Sequence, residues 1–150
     1  MTIQETYNFI ESLKNETTNN SEIKVYENFL KILTKLKGRA FSQGEIQSIE
    51  TELGSFNLES NPENRKKYFN KLLKKFKDYL KERHSLISAG YYTNIGITTG
   101  AAFGIIAGVI IGERFEKSLG IALGIGIGML IGLFTGRNKD SQAKASGKVL

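Results

Sequence analysis

The chain has no cysteine and a single histidine among its 150 residues. Without cysteine it forms no disulfide, has no thiol nucleophile and lacks the usual structural zinc sites. One imidazole, His84, makes neither a metal site nor a catalytic triad, and we expect it to be a polar residue at an interface. The carboxylates of residues 1–61 show no evident pairing. We therefore expect no enzyme, no metal and no cofactor.

Charge is almost absent between Tyr91 and Gly136. The four charged residues in this stretch all lie in the link ERFEKS, residues 113–118, where they cancel. The link separates two apolar runs, 95–112 and 119–136. As a helix each run is roughly 27 Å long, close to the hydrocarbon thickness of a bilayer. The sequence predicts a transmembrane helical hairpin; the alternative, a buried hairpin inside a soluble fold, is disfavoured by this length.

Glycine recurs at every fourth position in both apolar runs. The two rows of glycine, together called the ladder, contain ten of the sixteen glycines of the chain. In water each glycine costs a helix about 1 kcal/mol relative to alanine, whereas in lipid the backbone has little alternative to helix. Small residues at this spacing let helix backbones approach closely. The predicted helix-packing residues are Gly96, Gly100, Gly104, Gly108, Gly112, Gly120, Gly124, Gly128, Gly132 and Gly136.

The double ladder at residues 96–136 resembles the glycine-zipper class of membrane helices. The chain looks most like the small, uncharacterised bacterial two-pass proteins of that class. The resemblance implies close helix packing and frequent homo-oligomers. It implies no single activity.

Basic residues flank the hairpin on both sides, as KKFKDYLKERH before it and RNKDSQAKASGK after it. Because cytoplasmic loops carry an excess of lysine and arginine, this pattern predicts that both termini are cytoplasmic and that the link lies across a bacterial inner membrane. Tyr91 and Tyr92 fall where an interfacial aromatic belt is expected and are predicted anchors. The N-terminus has no basic and apolar leader, so we expect no signal peptide.

The excess positive charge lies close to the hairpin. Residues 62–88 carry nine basic and three acidic residues, whereas residues 1–61 carry six basic and nine acidic ones. The ordinary interpretation is a solvated face of a juxtamembrane helix, the functional one is contact with anionic lipid headgroups, and nucleic acid comes third. The predicted lipid contacts are Lys74, Lys75, Lys77, Lys81, Arg83, Arg137 and Lys139.

Residues 1–88 predict a small helical bundle on the cytoplasmic side, with four amphipathic helices. The third opens with a capping box, Ser42 to Glu45, and carries Ile46 in its apolar stripe. The fourth opens with Asn61 as N-cap and Pro62 at its first position. The predicted helices run roughly over 3–16, 22–38, 43–53 and 62–88.

The expected organisation is therefore all-α: a bundle at 1–88, a hairpin at 89–137 and a basic polar tail at 138–150. The break between the fourth helix and the first span is expected at Gly90.

Two functions are consistent with this organisation. The first is a membrane protein that self-assembles through its glycine faces and forms or regulates a permeation path, gated by the bundle. Its only polar lumen residues would be Thr98, Thr99 and Thr135. The alternative is a non-conducting anchor whose bundle recruits a protein partner through residues 1–61. Which applies depends on whether the two glycine faces join different subunits or occupy each other within one hairpin.

Overall fold

The computed structural model describes residues 1–60, 62–113 and 116–150. Within these ranges the chain is helical, with an isolated bridge and no strand, which confirms the predicted all-α class. Two compact units are present, Met1–Leu86 with Leu150, and Ile87–Val149. The helices are α1 (Ile3–Glu16), α2 (Asn20–Lys37), α3 (Gln43–Ser55), α4 (Arg65–His84), α5 (Tyr91–Gly112) and α6 (Lys117–Ala145).

Helices α1 and α3 both begin at a capping box. The Ser42 hydroxyl accepts a hydrogen bond from the Glu45 N–H, and the Glu45 carboxylate accepts one from the Ser42 N–H at 2.9 Å, which confirms that prediction. Thr2 and Glu5 make the same reciprocal pair at α1. Hydrogen bonds from Ser42 and Thr2 lower the pKa of Glu45 and Glu5 respectively, because they favour the carboxylate form.

Helix α4 begins later than predicted. Its N-cap is Asn64, whose side-chain oxygen accepts a hydrogen bond from the Lys67 N–H at 2.9 Å. The prediction that Pro62 is the first helical residue was wrong, and Asn61 lies outside the described residues. Both asparagines are good N-caps, so the local sequence alone does not choose between them.

The core of the first unit is built mainly from α2 and α4. The rings of Phe29 and Phe76 stack with centroids 5.8 Å apart, and Phe56 meets Phe76 edge-on at 6.1 Å. Tyr26 meets Phe69 edge-on at 5.1 Å, and all five rings are buried. These ring contacts hold α2 and α4, the two longest helices of the bundle, against each other.

The expectation that Ile46 belongs to the apolar stripe facing the core was wrong, since it is 37 % exposed whereas Ile49 and Leu53 of the same helix are buried. The expectation that His84 is a polar residue at an interface stays a prediction. The His84 side chain is 6 % exposed, its ring packs edge-on against Tyr79 at 5.6 Å, and its Nδ1 lies 4.0 Å from a Glu45 carboxylate oxygen.

In the second unit α5 and α6 form the predicted packed hairpin. Gly90, with φ +75°, is the N-cap of α5, as expected for the break. Helix α6 continues to Ala145, so residues 138–145 of the basic polar tail are helical. It ends where Gly147 adopts φ +66° and the Lys148 N–H donates to the Ala143 carbonyl, a Schellman arrangement.

Candidate functional site in the helical hairpin

The ladder glycines lie where α5 and α6 approach each other. Nine of the ten have backbone atoms of the other helix in the space that a Cβ would occupy, and a Cβ at Gly112 would make a tight contact with the backbone of Lys117. Close approach requires glycine here, since any side chain would overlap main-chain atoms that have no room to move. The opposing pairs are Gly96 with Gly132, Gly100 with Gly128, Gly104 with Gly124, and Gly108 with Gly120.

The ends of the ladder make the same kind of contact. Gly112 faces the backbone of Lys117 and Gly120, and Gly136 faces the backbone of Tyr92 and Thr93. By contrast, a Cβ at Gly126, which lies outside the fourfold repeat, would meet no atom within 4 Å. The predicted face of each helix is therefore occupied by the other helix of the same chain.

Along the two apolar runs, the remaining faces of the hairpin are exposed and mostly apolar. Phe103 is 72 % exposed and Phe134 is 76 % exposed. Both helices are long and apolar enough to span a membrane, yet only 17 % and 11 % of their most apolar windows are buried. A core helix of a soluble protein is mostly buried, which these helices are not.

The threonine hydroxyls within the two apolar runs are satisfied by carbonyls of their own helices. Thr98 donates to the Asn94 carbonyl at 2.9 Å, and Thr99 donates to the Ile95 carbonyl at 2.8 Å. Thr135 makes the equivalent bond in α6. These three threonines are the polar residues predicted to line a lumen. Each hydroxyl already donates its proton to a backbone carbonyl.

Asp140 connects the two helices at their basic end. One carboxylate oxygen accepts from the Tyr92 N–H at 3.0 Å, and the other accepts from the Thr93 N–H at 2.9 Å and the Thr93 hydroxyl at 2.6 Å. Partial burial acts to raise the pKa of Asp140, but the bonds from Thr93 and Tyr92 outweigh it and lower that pKa. Asp140 therefore caps α5, whose own N-cap, Gly90, has no side chain to do so.

Sequence reasoning missed this role of Asp140. The residue lies 47 positions from Thr93, so only the hairpin register brings the two together. A lone acid among basic residues after an apolar run was the one available signal.

The predicted anchors and lipid contacts of this unit lie beside that cap. The rings of Tyr91 and Tyr92 meet edge-on at 5.3 Å, and the Lys139 ammonium lies 5.9 Å from the centroid of the Tyr92 ring. Arg137 is exposed one residue beyond the last ladder glycine, Gly136. An open cleft of about 320 Å³ adjoins Lys139 and is lined by Tyr92, Lys139, Gln142, Ala143, Ser146 and Lys148.

The predicted lipid contacts of α4 do not share one face. Lys75 pairs with Glu52 of α3 at 3.8 Å, and Arg83 lines a polar cleft between α3 and α4. Lys74 and Lys81 are exposed seven residues apart, on a common face, and Lys77 is half-buried. Only part of the predicted basic set is therefore presented together.

Within the described ranges, no group of three or more His, Cys, Asp or Glu side chains is placed to hold a metal ion. No family model matches the chain, and no curated protein or solved structure is significantly similar to it.

Proposed function

We propose that this chain is a small integral membrane protein in which the α5–α6 hairpin anchors the helical bundle of residues 1–86 at the cytoplasmic face. The bundle then recruits a protein partner at the membrane surface. The observation that carries the proposal is the mutual occupation of the two glycine faces within one hairpin.

Helix association in lipid lacks a hydrophobic driving force and depends on close van der Waals packing. The glycine ladder of each helix allows this close packing, and the other helix of the same hairpin covers the whole glycine face. A second copy would have to pack against the bulky outer rows, which suit lipid chains better. The geometry thus favours a self-sufficient anchor over self-assembly through the glycine faces.

Insertion is supported by what surrounds the hairpin. Along its two apolar runs the exposed side chains are mostly apolar, and a surface of that kind is stable in lipid and aggregation-prone in water. Four basic residues and one acid lie at the end where the helices meet the rest of the chain, and the link at the other end is neutral. This asymmetry favours a cytoplasmic location for both termini.

The permeation hypothesis has weaker support. The hydroxyls of Thr98, Thr99 and Thr135 bond to carbonyls of their own helices, and no charged residue lies within either apolar run. A path lined by these helices would be a hydrophobic constriction.

The test is the stoichiometry of the purified protein in nanodiscs, combined with an ion-flux assay in liposomes. We expect a monomer without conductance, recovered from the membrane fraction after alkaline carbonate washing. Gly104→Ile should then lower stability and leave the monomer unchanged. A conducting oligomer that Gly104→Ile dissociates would contradict the proposal and support self-assembly.

A further inference from the structure

We propose that one face of the hairpin binds a single anionic phospholipid, with the phosphate in the cleft beside Lys139 and an acyl chain in an apolar groove along the same face. This inference rests on the proposed membrane insertion and adds a defined ligand site to it.

The cleft has the chemistry of a phosphate site. Two lysines, Lys139 and Lys148, line the cleft, and Gln142, whose amide is a neutral donor, lines it with them. None of the described residues that line the cleft is acidic, and Asp140, next to Lys139 in the sequence, has its carboxylate engaged by Thr93 and Tyr92. The cleft therefore has an excess of positive charge and favours an anion that accepts charge-assisted hydrogen bonds.

The groove has the chemistry of an acyl-chain site. It has a volume of about 340 Å³ and lies between α5 and α6. Small residues form its floor, and bulky apolar side chains from both helices form its walls. Its lining residues are Thr99, Gly100, Phe103, Gly104, Ala107, Ile111, Gly124, Ile127, Gly128, Ile131 and Gly132.

The cleft and the groove lie on the same face of the hairpin. In α5, Tyr92 of the cleft and Phe103 of the groove are eleven residues apart, and in α6 Ile131 and Gln142 have the same separation. Eleven residues make about three helical turns, so each pair is only about 20° apart around its helix. The polar cleft and the apolar groove therefore form one continuous amphipathic surface.

The distance along this surface suits one lipid. Eleven residues rise roughly 16 Å, and half the hydrocarbon core of a bilayer is roughly 15 Å. A phospholipid whose phosphate is held near Gln142 can therefore extend an acyl chain into the groove beside Ile131. A second copy of the chain docked side by side would bring its own lysines to the same level, so charge complementarity favours the lipid.

The experiment measures lipid binding by native mass spectrometry of the full chain. The protein is released from nanodiscs of phosphatidylcholine containing a minor fraction of phosphatidylglycerol. We expect one phosphatidylglycerol to be retained per chain. The double variant Lys139→Gln/Lys148→Gln should weaken its binding by about tenfold or more, equivalent to the loss of one charge-assisted contact.

Matched variants control for charge and bulk. Lys117→Gln/Lys144→Gln removes the same number of positive charges from residues that do not line the cleft, and it should change lipid binding less than about twofold. Ala107→Leu fills the groove and should weaken binding severalfold, whereas Ala102→Leu, outside the groove, should not. Circular dichroism should show the same helix content for all four variants.

Inorganic phosphate separates the two sources of the anion. In pure phosphatidylcholine nanodiscs, millimolar phosphate should bind weakly at most, and Ala107→Leu should not alter that binding. Retention of phosphatidylglycerol that is insensitive to Ala107→Leu, or equally sensitive to both double variants, would overturn the proposal. So would a dimer that Ala107→Leu dissociates. Failure of the protein to enter nanodiscs would instead contradict the proposed function.

Discussion

The carboxylate of Asp140 caps the first turn of α5 by accepting hydrogen bonds from both the N–H and the hydroxyl of Thr93. Through this contact the residues just beyond one apolar run hold the beginning of the other. The cap and the glycine pairs together define a single register for the hairpin.

Asp140→Ala should destabilise the hairpin, because it removes the acceptor of the Tyr92 and Thr93 N–H groups in the first turn of α5. Loss of a side-chain N-cap typically costs about 1 kcal/mol. Thermal unfolding of the full chain in detergent at neutral pH measures this loss. An unchanged midpoint would show that water or lipid replaces the carboxylate without cost.

The contribution of Asp140 should depend on pH. Since its pKa in the folded protein is below the ordinary value of about 3.9, its stabilising effect is complete above that value and is lost as the pH falls through the lowered pKa. The difference in stability between wild type and Asp140→Ala should therefore shrink below pH 4. Asp140→Asn retains an acceptor and should give a smaller loss without this pH dependence.

Gly104→Ala should destabilise the hairpin by about 1–3 kcal/mol, the usual cost of overpacking. The new methyl group would overlap the carbonyl oxygen of Gly124. Gly126→Ala is the matched control, since its methyl group meets no atom and alanine favours helix by up to about 1 kcal/mol. Thermal midpoints in one detergent compare the two variants. Equal tolerance at both positions would contradict the packing of the glycine faces.

Phe76→Ala should destabilise the bundle by about 3–5 kcal/mol. The ring is fully buried and contacts both Phe29 and Phe56. Ile46→Ala should cost well under about 1 kcal/mol, because that side chain is partly in solvent. Denaturant unfolding, followed by near-ultraviolet circular dichroism, measures both. A large loss at Ile46 would support the buried position predicted from periodicity.

The orientation of the hairpin is tested with single cysteines, which the native chain lacks. In intact cells, Ser118→Cys should react with an impermeant maleimide added outside, because the link is expected on the far side. Ser146→Cys should react only after the cells are opened. The reverse pattern would place both termini outside and contradict the charge-based topology.

Local sequence was sufficient to predict most of the helices. The interval 3–16 and the capping box at Ser42 agree with the structure, because spacing and capping act within one or two turns. Asn61 and Asn64 are both suitable N-caps and lie close together, so the sequence does not show which of them precedes α4. The predicted start of α4 was therefore wrong. Ile46 shows the same limit, since a stripe with several apolar residues does not say which of them face the core.

By itself the sequence determined that two apolar helices with fourfold glycine faces return as a hairpin, because length, charge and spacing are properties of short segments. It did not determine what those faces contact. Only the tertiary structure decided that Gly104 meets Gly124 of the same chain and that Asp140 caps α5. Both contacts join residues distant in sequence, and they depend on how two helices align along their length, which is set by backbone packing between them.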